Sequence, residues 1–181
     1  MDEAGKMNRM VKNLLALNQL EFGEDDVQFE RFDITSLISG VLQSLDILIE
    51  QKEAQVIFRH KNPVYVWADE FKVEQVVRNY VNNALNHVDG EKVIEIKITQ
   101  ENDMAKITVF NTGTPIPEED LPHIWEKFYK VDKARTREYG GNGIGLSIVK
   151  AIMDSFHQQC GVINHEDGVE FWFELEKGKQ S

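Results

Sequence analysis

Apolar residues recur at helical spacing between residues 3 and 21: Met7, Met10, Val11, Leu14, Leu15 and Leu17, with Lys6, Arg9 and Lys12 among them. That pattern predicts an amphipathic helix. Gly23-Glu24-Asp25-Asp26 ends it and reads as a short polar linker. From Val27 the period changes to two, and residues 27–33 alternate as a strand through Val27, Phe29 and Phe32. Helical spacing returns over 35–50, with Leu37, Ile38, Val41, Leu42, Leu45 and Ile49 on one side. Residues 54–59 and 64–68 read as two strands with Asn62-Pro63 in the turn between them. A helix follows over 69–87, with Asp69 at its N-cap. Residues 93–100 and 104–111 pair around Glu101-Asn102-Asp103. The stretch 112–140 is dense in charge, turn residues and aromatics. It is too long for an ordinary connection, and such loops are commonly lids or binding loops. A last helix over 144–156 precedes two closing strands, 159–164 and 169–176, around Asp167-Gly168. Strands and helices interleave, with two antiparallel hairpins. The expected fold is a mixed sheet with helices on one face.

Composition narrows the function classes. The chain has 181 residues, of which 41% are hydrophobic and 28% charged, enough for one domain plus an appendage. The net charge of −11 argues against nucleic acid as a partner, because phosphate backbones need a basic footprint. No apolar run approaches the roughly 20 residues of a membrane span, and no secretory signal is visible. Cys160 stands alone and suits a reducing compartment, the cytoplasm. With one cysteine and scattered histidines, no zinc site is expected.

The densest chemical signal is Gly140-Gly141-Asn142-Gly143-Ile144-Gly145-Leu146, directly before a helix. Free N–H groups ending at a helix N-terminus can seat a phosphate; a glycine-rich helix-capping turn is the other reading. The register fits neither a dinucleotide fingerprint nor a Walker loop.

The helix over 69–87 has two faces. Val73, Val76, Val77, Tyr80, Val81 and Ala84 share one side, while Gln75, Asn79, Asn83 and Asn86 share the other. A solvated face usually carries better helix formers than Asn. The row is either incidental polar surface or a set of neutral amide oxygens that can coordinate a hard cation bridged to phosphates. Asn111, at the end of a strand before Thr112-Gly113-Thr114-Pro115-Ile116-Pro117, is either a turn former or an acceptor for an adenine amino group. In Ile124-Trp125-Glu126-Lys127-Phe128-Tyr129-Lys130, Trp125 and Phe128 are expected to pack inside. Lys130 is the better phosphate contact, in a loop hinged at its glycine-rich far end.

Taken in order, these segments resemble a family. Asn79–Ala84 resembles the N box of sensor histidine kinases, Asn111–Pro117 their G1 box, Trp125–Asp132 their F box, Gly141–Lys150 their G2 box, and Gly168–Phe173 their final glycine-led strand. Met10–Leu17 resembles the end of the second helix of their dimerisation hairpin. The resemblance implies a Bergerat ATP-binding fold: an α+β two-layer sandwich, its mixed, mostly antiparallel sheet carrying helices on one face, plus an N-terminal helical stub. It divides the chain into a hairpin end (1–22), a linker (23–27) and a catalytic ATP-binding domain (28–181). It implies ATP and magnesium, with Asn83 as magnesium ligand and Asn79 beside it at the phosphates. Lys130 would touch phosphate. Gly141, Gly143 and Gly145 would line the triphosphate. Asn86, His87, Asn111, Gly113, Ile116, Phe128, Tyr129, Ile144 and Leu146 would complete the nucleotide pocket.

Three positions depart from the family pattern. Asn111 replaces an Asp, Pro115 replaces a glycine, and Asn86 stands where a Lys is usual. None of His60, His87, His123, His157 and His165 has the context of a phosphoacceptor. The chain is thus expected to be a piece that presents the ATP γ-phosphate to a histidine outside it, for relay to a response regulator. Its parent would be a homodimeric, membrane-bound sensor with this part in the cytoplasm and making no membrane contact. The alternatives are a non-catalytic nucleotide-binding module and an ATPase domain of the gyrase or Hsp90 type.

Overall fold

The computed structural model describes residues 3–21, 26–130 and 143–178. Helix α1 (Glu3–Glu21) comes first. Strand β1 (Glu30–Asp33) follows, then helices α2 (Ile34–Ser44) and α3 (Asp46–Gln51). Next come β2 (Gln55–Phe58), β3 (Tyr65–Ala68), α4 (Glu70–His87), β4 (Val93–Glu101) and β5 (Met104–Thr112). The last elements are α5 (Gly145–Ser155), β6 (Cys160–His165) and β7 (Gly168–Lys177).

Among the described residues, seven strands form one sheet in the order β1-β3-β7-β5-β4-β2, with β6 also paired to β7. Every pairing is antiparallel except β2 with β4. The two expected hairpins are β4–β5 and β6–β7. Alternation sends Ile94, Ile96 and Ile98 of β4, Ala105, Ile107 and Val109 of β5, and Phe171, Phe173 and Leu175 of β7 into the core. Val73, Val76, Val77 and Tyr80 of α4 and Ile148, Val149 and Ile152 of α5 meet them. The opposite sheet face carries Lys97, Lys106, Thr108 and Trp172, with the Lys106 ammonium 4.5 Å over the Trp172 ring. The sandwich thus has two layers.

Three expectations change. First, β2 and β3 are not neighbours: β2 lies at one sheet edge and β3 near the other, so Asn62-Pro63 belongs to a crossing and not to a hairpin turn. Second, the strand expected over 27–33 begins only at Glu30, because its partner β3 spans four residues. Upstream, Gln28 N–H donates to Asp69 Oδ2 (2.9 Å) instead. Third, the helix expected over 35–50 breaks at Leu45 (φ −101°, ψ 9°). Ser44 Oγ bonds back to Val41 O at 2.8 Å and accepts from Arg78 at 3.0 Å. Such back-bonding competes with the helical ladder and bends it.

Candidate nucleotide site

Helix α4 starts where the sequence says. Asp69 Oδ1 accepts from Lys72 N–H at 3.2 Å, satisfying one of the donors that a helix N-terminus leaves unpaired. Packing buries the valine face in the core and leaves Gln75, Asn79, Asn83 and Asn86 half-buried. The amide row therefore lines the border of the core rather than open solvent.

Helix α5 packs against α4 at its first turn. A Cβ on Gly145 would stand 3.6 Å from Asn79 Oδ1, an ordinary contact distance, which places the start of α5 beside the amide. Asn79 Nδ2 is buried with no hydrogen-bond partner, and so is Ser147 Oγ, two residues beyond Gly145 in α5. A buried unpaired donor costs about 1–3 kcal/mol. Proteins rarely retain one without a use. Ser147 carries no distinguishing signal in the sequence; its isolation appears only once α4 and α5 are packed.

The end of β5 forms the floor. Asn111 continues the inward series Ala105, Ile107, Val109 and is 2% exposed. Its Nδ2 donates to Thr112 O at 3.1 Å. Thr112 Oγ1 in turn bonds Asp89 O (2.8 Å) and accepts from Val93 N–H (3.0 Å). Gly113 (φ 152°) follows, and a Cβ on it would stand 2.8 Å from His87 O. Only a glycine lets the turn pass this close to the end of α4. Ile116 is half-buried against the core, and its N–H and C=O are both held by the Asn164 side chain.

The loop after it rises over this floor in a series of turns. Ile124 is buried, and Trp125 meets Phe171 edge-on at 6.0 Å. Phe128 departs from the expected interior packing: it is 49% exposed and has φ 64°. Its N–H donates to Gly143 O at 2.8 Å. Tyr129 donates its hydroxyl to Asp120, and this hydrogen bond raises the phenol's pKa. Lys130 is half-buried, its Cε 3.5 Å from the Cβ position of Gly143. Ile144 is fully buried at the N-cap of α5, and Leu146 is half-buried beside it.

Asn79 with Gly145, Gly143 with Phe128 and Lys130, and Gly113 with His87 and Asn111 are thus brought into contact. Asn83 and Asn86 share the α4 face with Asn79. Gly141 lies outside the described residues.

The profile of the histidine kinase-, DNA gyrase B- and HSP90-like ATPases matches residues 68–179. The chain belongs to that ATPase family. It is 32% identical over 158 residues to the sensor histidine kinase WalK of Bacillus subtilis, which covers 85% of this chain and 26% of WalK. It superposes on the catalytic domain of the histidine kinase ThkA with a TM-score of 0.74 and 30% identity, covering 83% of this chain and 96% of that one. Against ThkA in complex with the response regulator protein TrrA, the TM-score is 0.73 at 25% identity, over 95% of this chain and 49% of that one. The chain spans about a quarter to a third of the curated relatives it matches. The histidine kinase likeness, the sheet with helices on one face and the amide-lined border of α4 agree with one another.

Proposed function

We propose that this chain is the catalytic domain of a sensor histidine kinase: it holds ATP with magnesium and presents the γ-phosphate to a histidine on another segment, for relay to a response regulator. The observation that carries this is the orphaned Asn79 amide beside Gly145. A polyphosphate there would give the buried amide N–H its missing acceptor, with the Gly145 backbone beside the same amide.

The residues fit a shared metal. Among the described residues, no cluster of three His, Cys, Asp or Glu can hold an ion by itself. Neutral amide oxygens fit magnesium that takes its remaining ligands from phosphate and water. Asn83 would be the protein ligand, with Asn79 beside it at the phosphates. When bound, magnesium neutralises charge developing on the transferring phosphoryl group. Lys130 would add a second positive charge, and the backbone at Gly141, Gly143 and Gly145 would cradle the triphosphate. Asn111 has its amide N–H held by Thr112, which leaves its oxygen as the acceptor for an adenine amino group. Gly113 and Ile116 would border the base with Asn86, His87, Phe128, Tyr129, Ile144 and Leu146. Catalysis in this arrangement is positioning and charge neutralisation. No residue of this chain need form a covalent intermediate.

Residues 1–22 would be the end of the dimerisation hairpin, 23–27 its linker, and 28–181 the catalytic domain. On α1, Leu17 is buried in the domain core and α1 lies against α5, yet Met7, Val11 and Leu15 are 67%, 53% and 58% exposed. That outward stripe suits a partner helix, as in a homodimeric parent. No described helix is long and apolar enough to cross a membrane, which suits the cytoplasmic part of a sensor.

The test incubates the chain with ATP, magnesium and a separate hairpin fragment that carries a competent phosphoacceptor histidine. Labelled phosphate on that fragment is expected. ATP binding without transfer would favour a nucleotide-binding regulatory module, and turnover without an acceptor an ATPase of the gyrase type. Asn83→Ala should abolish magnesium-dependent nucleotide binding, and unchanged binding would remove the ligand assignment.

A further inference from the structure

Ile116 sits between two prolines, Pro115 and Pro117. Neither has an N–H, so the segment cannot extend β5 as a ladder strand. Yet Ile116 is held at both backbone groups. Its N–H donates to Asn164 Oδ1 at 3.0 Å, and its C=O accepts from Asn164 Nδ2 at 2.7 Å. A primary amide offers an acceptor and a donor side by side, as a peptide unit does. Asn164 therefore acts as a single bridging peptide across a separation of 48 residues.

The same hairpin supplies a second tie. Gly113 N–H donates to the carbonyl of Asp167, in the β6–β7 turn, at 3.0 Å. Between these two ties lie only Thr114 and Pro115. Two residues before the first tie is Asn111, whose amide is fixed on Thr112 O. The β6–β7 hairpin thus holds the whole turn from outside, although the sequence pattern gave it no part in the site.

We propose that Asn164 is a positioning residue for nucleotide recognition: its amide clamps the turn at Ile116 and so sets where Asn111 and Ile116 meet the adenine ring. This rests on the nucleotide site proposed above. It also gives a use to Pro115, which replaces a glycine of the family pattern. Proline narrows the conformations open to the turn, and the Asn164 bridge selects one of them. Asn164 is half-buried on β6 rather than part of the core, so its loss should act on the turn more than on the fold.

The experiment measures binding of ATP, GTP and inorganic triphosphate, each with magnesium, to the 181-residue chain and its variants, with melting temperature beside each. The unsubstituted chain should prefer ATP to GTP. Asn164→Ala should weaken ATP binding about tenfold, as expected for losing two hydrogen bonds that orient a recognition loop. Binding of triphosphate should stay within about twofold, because the phosphate end is built by other residues. The preference for ATP should collapse accordingly. A purely structural role would lower the melting temperature and leave that preference intact, and this result overturns the proposal. Asn164→Asp keeps an acceptor for Ile116 N–H but sets an oxygen against Ile116 O. It should lose the preference too, and it decides the matter if the alanine variant fails to fold. If the unsubstituted chain binds no magnesium–ATP, the nucleotide site itself is wrong. If it binds and both variants keep the preference, only the Asn164 assignment falls.

Discussion

Phe128 and Gly143 meet backbone to backbone: Phe128 N–H donates to Gly143 O at 2.8 Å. Both have left-handed backbones, φ 64° for Phe128 and φ 74° for Gly143. A Cβ on Gly143 would stand 2.9 Å from Phe128 Cα. The contact leaves no room for any side chain at residue 143. Gly143→Ala should therefore cost about 1–3 kcal/mol, the usual expense of a non-glycine residue in this backbone region. It should also weaken ATP binding at least tenfold. Thermal unfolding and nucleotide titration check the two effects; undiminished affinity would show that the contact between Phe128 and Gly143 is not needed for binding.

Asn79 predicts a trade between stability and binding. Its Nδ2 is buried without a partner, and alanine both removes that orphan and favours the helix. Asn79→Ala should raise the melting temperature of the ligand-free chain by about 2–4 °C for each kcal/mol gained. It should nevertheless weaken magnesium–ATP binding by at least tenfold. A drop in melting temperature would mean that the amide has a partner in the free protein.

Asn111 is where the family pattern has an acid, which invites the reverse substitution. The surroundings here oppose it. Asn111 is 2% exposed and its Nδ2 faces Thr112 O at 3.1 Å. Asn111→Asp would replace that donor with an oxygen aimed at another oxygen, in a site where a charge is poorly solvated. We expect a loss of about 1–3 kcal/mol in denaturant unfolding, smaller at low pH, where the carboxyl can protonate and donate.

Asp33 links α2 to the start of β3, and its effect should depend on pH. Burial raises its pKa. Hydrogen bonds from Ser36 Oγ (2.8 Å), Val64 N–H (3.2 Å) and Thr35 N–H (2.9 Å) outweigh burial and hold the carboxyl below its ordinary 3.8. A lowered folded-state value means that the ionised form stabilises the fold. That contribution is complete above the ordinary 3.8 and fades as pH falls through the lower folded-state value. Asp33→Ala should cost about 1–2 kcal/mol near neutrality, as the loss of an N-cap does. The difference from the unsubstituted chain should shrink in acid. A gap independent of pH would assign the effect to packing instead of charge.

The sequence by itself determined the order of elements, the apolar faces and most of the candidate chemistry. Period 3.6 and period 2 are local properties, and they reveal which side of α4 is buried and which side carries Asn79, Asn83 and Asn86. Caps are local too, so Asp69 marks the start of α4 within three residues of its partner. The hairpins β4–β5 and β6–β7 were legible because their turns lie beside their strands.

Tertiary structure decided what depends on partners far along the chain. Nothing between residues 54 and 68 says that β2 runs parallel to β4 while β3 joins β1 and β7. The helix break at Leu45 lies beside a contact from another helix, where Arg78 reaches Ser44. Aromatic patterning puts Phe128 in the core, but in the fold its backbone is left-handed and bonded to Gly143, and its ring is half exposed. The unpaired amide of Asn79 exists only because α5 closes over α4. Asn164 is an ordinary strand residue in the sequence, and it gains its role only when folding brings it to Ile116. Side-chain patterning encodes which face is wet; it does not encode which distant backbone group a polar side chain will meet.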